Sequence, residues 1–209
     1  MILLTRLVND LMISSKPKGL FIELSDQTAF LARTSSMKST LIVEAFKEVP
    51  LDDKNGAKEA IREFTGVRQG GYAISKCAVY PSNRVISRGS FDQRKAKNQS
   101  YLAEQVSSQF KIDLDHFTVC ILDAGDGTDP ASKENFPKEA LVCAAPEEEL
   151  KAVQSYLLEM GIYPQSMEIG TIASLGGILN HLQNQEKSIP TLVLEIGDEE
   201  TNVYVLKKE

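Results

Sequence analysis

Residues 190–206, PTLVLEIGDEETNVYVL, decide how the rest of the chain is read. Two β-rich runs, 192–196 and 202–206, flank the polar turn 197–201. Val, Ile and Tyr in quick succession suit a pleated, largely buried pair of strands. Gly197 gives the turn its backbone freedom. An acidic residue closing the first run, followed by Gly and a small hydroxyl, is a layout that handles phosphate. Its amides point into the turn and its carboxylate can hold a hydrated metal. Residues 19–34, GLFIELSDQTAFLART, are a weaker echo, with runs 20–24 and 29–32 around Ser25, Asp26, Gln27 and Thr28. Two such hairpins far apart predict a duplicated fold with a ligand cleft between its halves.

The 209 residues are enough for a substantial core in one or two domains. Hydrophobic residues at 42% and charged residues at 25% are ordinary for a globular protein. A net charge of −6 excludes nucleic acid as a main partner, because phosphate backbones need a dense basic face. Cys77, Cys120 and Cys143 each sit in an apolar strand-like run with no short spacing, so they read as buried, reduced thiols. With only His116 and His181 besides, a Cys/His metal site is not expected. No run of about 20 apolar residues is present to span a bilayer.

Residues 1–12, MILLTRLVNDLM, read as an amphipathic helix. Leu3, Leu4, Leu7, Val8, Leu11 and Met12 fall on one face, Thr5, Arg6, Asn9 and Asp10 on the other. A helix this short is marginal alone, so it must pack on the protein's own fold, on another copy or on a membrane surface. Residues 1–16 form this helix and its linker. A third strand is expected over 40–49, a polar loop over 52–56, a helix over 57–65 and a strand over 70–80. This β-β-β-α-β order is half of a ribonuclease-H-like module.

Residues 81–92, PSNRVISRGSFD, read as polar and turn-rich and mark a boundary. A helix over 100–110 and a strand over 117–123 follow, then a solvated flexible loop over 125–135. The strand 139–145 leads into a helix over 146–160, with Pro146 at its first position and three glutamates in its first turn. Leu150, Val153, Leu157 and Met160 make its buried stripe, and Gly161 closes it. A strand over 162–169 and a helix over 171–182 complete this part. Gly176 and Gly177 inside that helix each cost about 1 kcal/mol relative to Ala, which predicts a close backbone approach there.

The order hairpin, third strand, helix, inserted small α/β unit, return helix and second hairpin resembles the actin-like ATPases. The segment 140–174, ALVCAAPEEELKAVQSYLLEMGIYPQSMEIGTIAS, resembles the PilM branch of type IV pilus assembly proteins, relatives of FtsA. The resemblance covers about residues 19–206. It implies an α/β, actin-like first domain over 17–81 plus 162–188, an inserted α/β subdomain over 82–161, and the opening hairpin of a second domain over 189–209. The second half of the actin fold would be missing or only begun, the chain being either a fragment or a member that has lost it.

The same resemblance implies a nucleotide site at Glu23, Leu24, Ser25, Asp26, Glu195, Gly197, Asp198 and Thr201, with Glu23 and Glu195 toward magnesium through bound water. Departures from the family pattern make this site degenerate. Leu24 stands where the turn glycine belongs, and Glu23 and Glu195 stand where aspartates belong. Asp198 adds negative charge where an anion must bind. Two unit charges about 6 Å apart interact by ~3 kcal/mol at an effective dielectric near 20 and by less than ~1 kcal/mol in water.

The function this implies is an adaptor of a type IV pilus or related secretion machine, binding the cytoplasmic tail of a PilN-like inner-membrane protein. Such a chain is cytoplasmic and peripheral at the inner membrane through its partners, other pilus platform components among them. Met1, Ile2, Leu3 and Leu4 resemble the apolar peptide such a groove takes, which adds self-association. Two alternatives stay open: an ATP- and magnesium-binding ATPase, weakly active if a second half exists, and an FtsA-like membrane-associated division protein. No nucleophile–base pair stands out, and Ser25, Ser174 and Ser188 have no positioned histidine nearby in sequence. An α/β domain of unrelated purpose is the bland reading.

Overall fold

A computed structural model of the chain describes residues 19–25, 27–37, 40–183, 190–196 and 201–206. The expectations for residues 1–16, for Asp26 and for residues 197–200 lie outside the described residues. The main sheet has strands β1 (Gly19–Leu24), β2 (Thr28–Met37), β3 (Thr40–Pro50), β4 (Ala73–Val79) and β8 (Ile162–Ile169). Its order is β3-β2-β1-β4-β8. β1, β2 and β3 pair antiparallel, whereas β1–β4 and β4–β8 are parallel. This mixed five-stranded sheet with its crossover helices fits the ribonuclease-H-like module expected from the β-β-β-α-β order.

Alternation along the strands sets which side is core. Ile22, Leu31, Val49, Cys77 and Ile162 are buried on one face. There they meet Ala57 and Ile61 of α1 (Lys54–Thr65) and Leu157 of α3 (Glu147–Glu159). α1 starts before the expected residue 57, because Asp53 accepts a bond from the Asn55 amide at 3.1 Å and caps the helix. Pro146 is the residue before α3 rather than its first, and it also ends β7. Gly161 closes α3 at φ 80°, a conformation that penalises any side chain. α4 (Gly170–Gln183) follows β8 and touches β4 and β8.

A second core belongs to residues 85–146. β5 (Val85–Ser90), β7 (Glu139–Pro146) and β6 (Phe117–Asp123) form an antiparallel sheet in the order β5-β7-β6, covered by α2 (Gln99–Phe110). Phe91, Val106, Phe136, Val142 and Ala144 fill it.

Several expectations fail for local reasons. The polar stretch 81–92 contains β5, since pairing with β7 supplies the strand bonds that its composition does not advertise. The loop 125–135 is clamped rather than loose: Lys133 binds Asp123 and Asp126 at 2.7 Å each, and Pro130 is buried in a short 3-10 turn. No described atom lies within 4 Å of a Cβ placed on Gly176 or Gly177, so the close approach predicted there is absent among the described residues. Nothing in the structure explains those two glycines. The closing hairpin, β9 (Thr191–Ile196) with β10 (Thr201–Leu206), is not largely buried. Leu192, Leu194, Ile196, Val203 and Val205 are exposed on one of its faces, because a two-stranded ribbon covers only the other.

The cysteines are free, Cys77 and Cys143 buried and Cys120 half-buried. Burial pushes Cys77 up to about 11 and Cys120 up to about 12. Cys120 also feels the charges of Asp129 and Glu168. Glu168 is mostly buried, and its Oε1 has no hydrogen-bond partner among the described residues. Burial raises its carboxyl from 4.5 to about 7, with Lys76 pulling the other way. The unfolded chain therefore releases this proton first, and stability falls as pH rises from about 4.5 through about 7. Across that window the loss is about 3 kcal/mol. Glu168→Gln is expected to flatten this slope in urea unfolding measured at pH 5 and pH 8; an unchanged slope refutes the assignment.

Candidate functional site

The carboxyl ends of the parallel strands are where sheets of this kind bind ligands. Glu23 lies near the end of β1, Tyr80 and Arg84 just past β4, and Thr171 just past β8. The hairpin β9–β10 brings Glu195 to the same place. The Tyr80 hydroxyl donates to Glu23 Oε1 at 2.7 Å. Arg84 Cζ sits 5.8 Å from the Tyr80 ring centroid, a cation–π contact. Arg84 Nη2 donates to Glu195 Oε2 at 3.0 Å, and Thr171 Oγ1 donates to Glu195 Oε1 at 2.6 Å. Tyr204 Oη at 3.1 Å and Asn202 Nδ2 at 3.4 Å complete the shell on Oε2. The two carboxylates expected to face each other are thus joined through a tyrosine and an arginine.

Burial alone would raise Glu195, but hydrogen bonds from Thr171 and Arg84 hold its carboxyl below the usual range. Tyr204 is pushed up to about 12 by burial and by the Glu195 charge. Tyr80 rises to about 12 by burial and by its bond to Glu23. The cluster thus gathers Glu23, Glu195 and Arg84 with the two tyrosines. Gly170 permits it, since any Cβ there would run into the Tyr80 ring.

Both oxygens of Glu195 are engaged by protein donors, and a cation already sits on one of them. A magnesium ion would have to displace Arg84 or Thr171 to reach this carboxylate, so the donor set does not fit a resident metal. Among the described residues no group of three or more His, Cys, Asp or Glu is placed to hold one.

The other described residues that the resemblance singles out make contacts of their own. Ser25 closes its own turn, its amide and hydroxyl both bonded to the Thr28 carbonyl. Leu24 packs against the main core rather than standing over the turn. Thr201 is exposed at the start of β10, opposite Ile196. Asp26, Gly197, Asp198 and the segment Met1, Ile2, Leu3, Leu4 lie outside the described residues. Tyr80, Arg84, Thr171, Asn202 and Tyr204 are not among the residues expected from the sequence. Their position directly after parallel strands, or on the hairpin beside Glu195, is the signal that could have found them.

No known protein-family signature matches the chain, and no curated protein matches it. Among solved structures it is similar to the PilM–PilN type IV pilus biogenesis complex, with a TM-score of 0.63 at 16% identity over 92% of this chain. It is also similar to the cytoplasmic domain of EpsL, an inner-membrane component of the type II secretion system of Vibrio cholerae. There the TM-score is 0.54 at 13% identity, over 90% of this chain and 70% of that one. The chain has an actin-like fold. Within that class the fold is PilM-like, and the chain spans 59% of the length of the PilM–PilN relative.

If the Arg84–Glu195 pair ties the hairpin to the body, Arg84→Met and Glu195→Met should each cost about 1–3 kcal/mol in urea unfolding. That range discounts a fully buried pair, because the two side chains are 12% and 22% exposed. The double substitution should cost less than the sum of the two, with a coupling of about 1 kcal/mol or more. Simple additivity contradicts the clasp.

Proposed function

We propose that this chain is an adaptor: an actin-like component of a type IV pilus or type II secretion machine that binds the cytoplasmic tail of a PilN-like inner-membrane protein. The observation that carries this reading is the fold it shares with a PilM–PilN complex and with the EpsL cytoplasmic domain. On this reading the protein is cytoplasmic and reaches the inner membrane through its partner. No helix among the described residues is long and apolar enough to cross a bilayer.

The nucleotide site has become structural in this proposal. Arg84 supplies to Glu195 the positive charge that a hydrated metal would bring, and Tyr80 ties up Glu23. ATP and magnesium then bind weakly or not at all. The competing ATPase reading is favoured by one observation, the convergence of Glu23 and Glu195 on linked partners.

Two titrations separate the readings. The folded chain should bind a peptide carrying the cytoplasmic tail of a PilN-like protein from the same genome, and Mg·ATP at millimolar concentration should leave its melting temperature unchanged. A site filled at 100 times its dissociation constant would add about 2.7 kcal/mol, which a melting curve detects. No peptide binding by folded protein removes the adaptor proposal, and a clear Mg·ATP shift restores the ATPase.

A further inference from the structure

The face of the main sheet turned away from α1 and α3 is only partly covered. Among the strands of this sheet α4 touches chiefly β4 and β8. Leu41, Val43, Phe46, Tyr72, Ile74 and Tyr163 remain exposed, between 49% and 65% of their surface in reach of solvent. The strand registers put them together. Ile74 lies opposite Tyr163, Val43 opposite Thr34, and Thr34 opposite Gly19. Phe46 lies opposite Ala32 and stacks on Phe30 at 5.9 Å. Large apolar groups gathered on one face of a single chain mark a surface that something covers.

Gly19 is the first residue of β1, the central strand, and it enters between Val43 on one side and Ile74 and Tyr163 on the other. Whatever precedes Gly19 therefore starts inside this patch. Residues 13–18 can span at most about 20 Å when extended. A tether of that length holds residues 1–12 at an effective concentration of the order of millimolar, enough to populate even a weak contact. Those twelve residues carry Leu3, Leu4, Leu7, Val8, Leu11 and Met12 at helical spacing. Their polar side carries one arginine and one aspartate, Arg6 and Asp10, rather than the lysine- and arginine-rich face of a helix that lies on anionic lipid. The exposed face of the β9–β10 hairpin is a poorer match, because Glu195 holds Arg84, which lies over the Tyr80 ring at the other end of the strands.

We infer that residues 1–12 dock in cis, apolar side inward, on the sheet face formed by Val43, Phe46, Ile74 and Tyr163. The segment caps the exposed apolar residues of this face, and its removal opens an apolar surface on the chain.

Leu7 replaced by the photoreactive analogue benzoyl-phenylalanine in the full chain tests this. On irradiation, mass spectrometry should find crosslinks to peptides containing residues 41–46, 72–74 or 163, in a product of monomer mass. Phe46→Glu with Ile74→Glu should abolish those crosslinks while circular dichroism stays native. Should that double variant unfold, the wild-type crosslink map decides alone. A product of dimer mass joined through the same peptides gives the face to a second copy and overturns docking in cis. Crosslinks confined to 192–205, no crosslink at all, or flotation on phosphatidylglycerol vesicles that requires residues 1–12 overturn it equally.

Discussion

A single carboxylate holds three pieces of the chain together. Glu195 belongs to the β9–β10 hairpin, Arg84 precedes the first strand of the smaller sheet, and Thr171 opens α4. An isolated two-stranded hairpin is marginal in water. Its exposed apolar face adds nothing to its docking, so the inner face must supply it. A carboxylate at 22% exposure would be costly there without partners, and four hydrogen bonds including one from a guanidinium offset that cost. The strength of the arrangement depends on completeness, since losing one partner leaves another charge unsatisfied in a partly buried place.

The same arrangement shapes what the cleft can do. Parallel strands deliver their carboxyl ends to one edge of the sheet, and that edge receives both Glu23 and Glu195. Here it is filled from within: Tyr80 occupies Glu23, and Arg84 bridges the Tyr80 ring to Glu195. A cleft whose side chains satisfy one another is a rigid joint, and a metal reaching Glu195 would have to displace Arg84 or Thr171. On the proposed adaptor reading, such a joint keeps the parts of the chain in fixed relation while a partner is bound elsewhere.

Much of the fold is legible in the sequence because its signals are local. The alternating burial of β4, the glutamate-rich first turn of α3 and the glycine that ends it are written in neighbouring residues, and the strand 162–169 matches to the residue. β5 escapes such a reading because its strand character comes from β7, which follows it by some 50 residues in the chain. The clamp on residues 125–135 escapes for a related reason. Lys133 reads as a loop charge until the fold returns it to Asp123 and Asp126. At the site, Glu23 and Glu195 can be named from the two hairpins and the resemblance they carry. Arg84 and Tyr80 cannot, as neither has a spacing to Glu195 that sequence reveals; only the sheet order makes them neighbours. The expectation of a buried closing hairpin fails on the same ground, since apolar content does not say whether both faces have partners.

On the proposed reading Arg84 takes the place that a metal–phosphate group would fill, and a crystal structure of the chain grown with millimolar Mg·ATP tests this most directly. Arg84 should remain on Glu195 and Tyr80 on Glu23, with no nucleotide between them. Density for a triphosphate between Glu23 and Glu195, with the Arg84 side chain swung away, would contradict it.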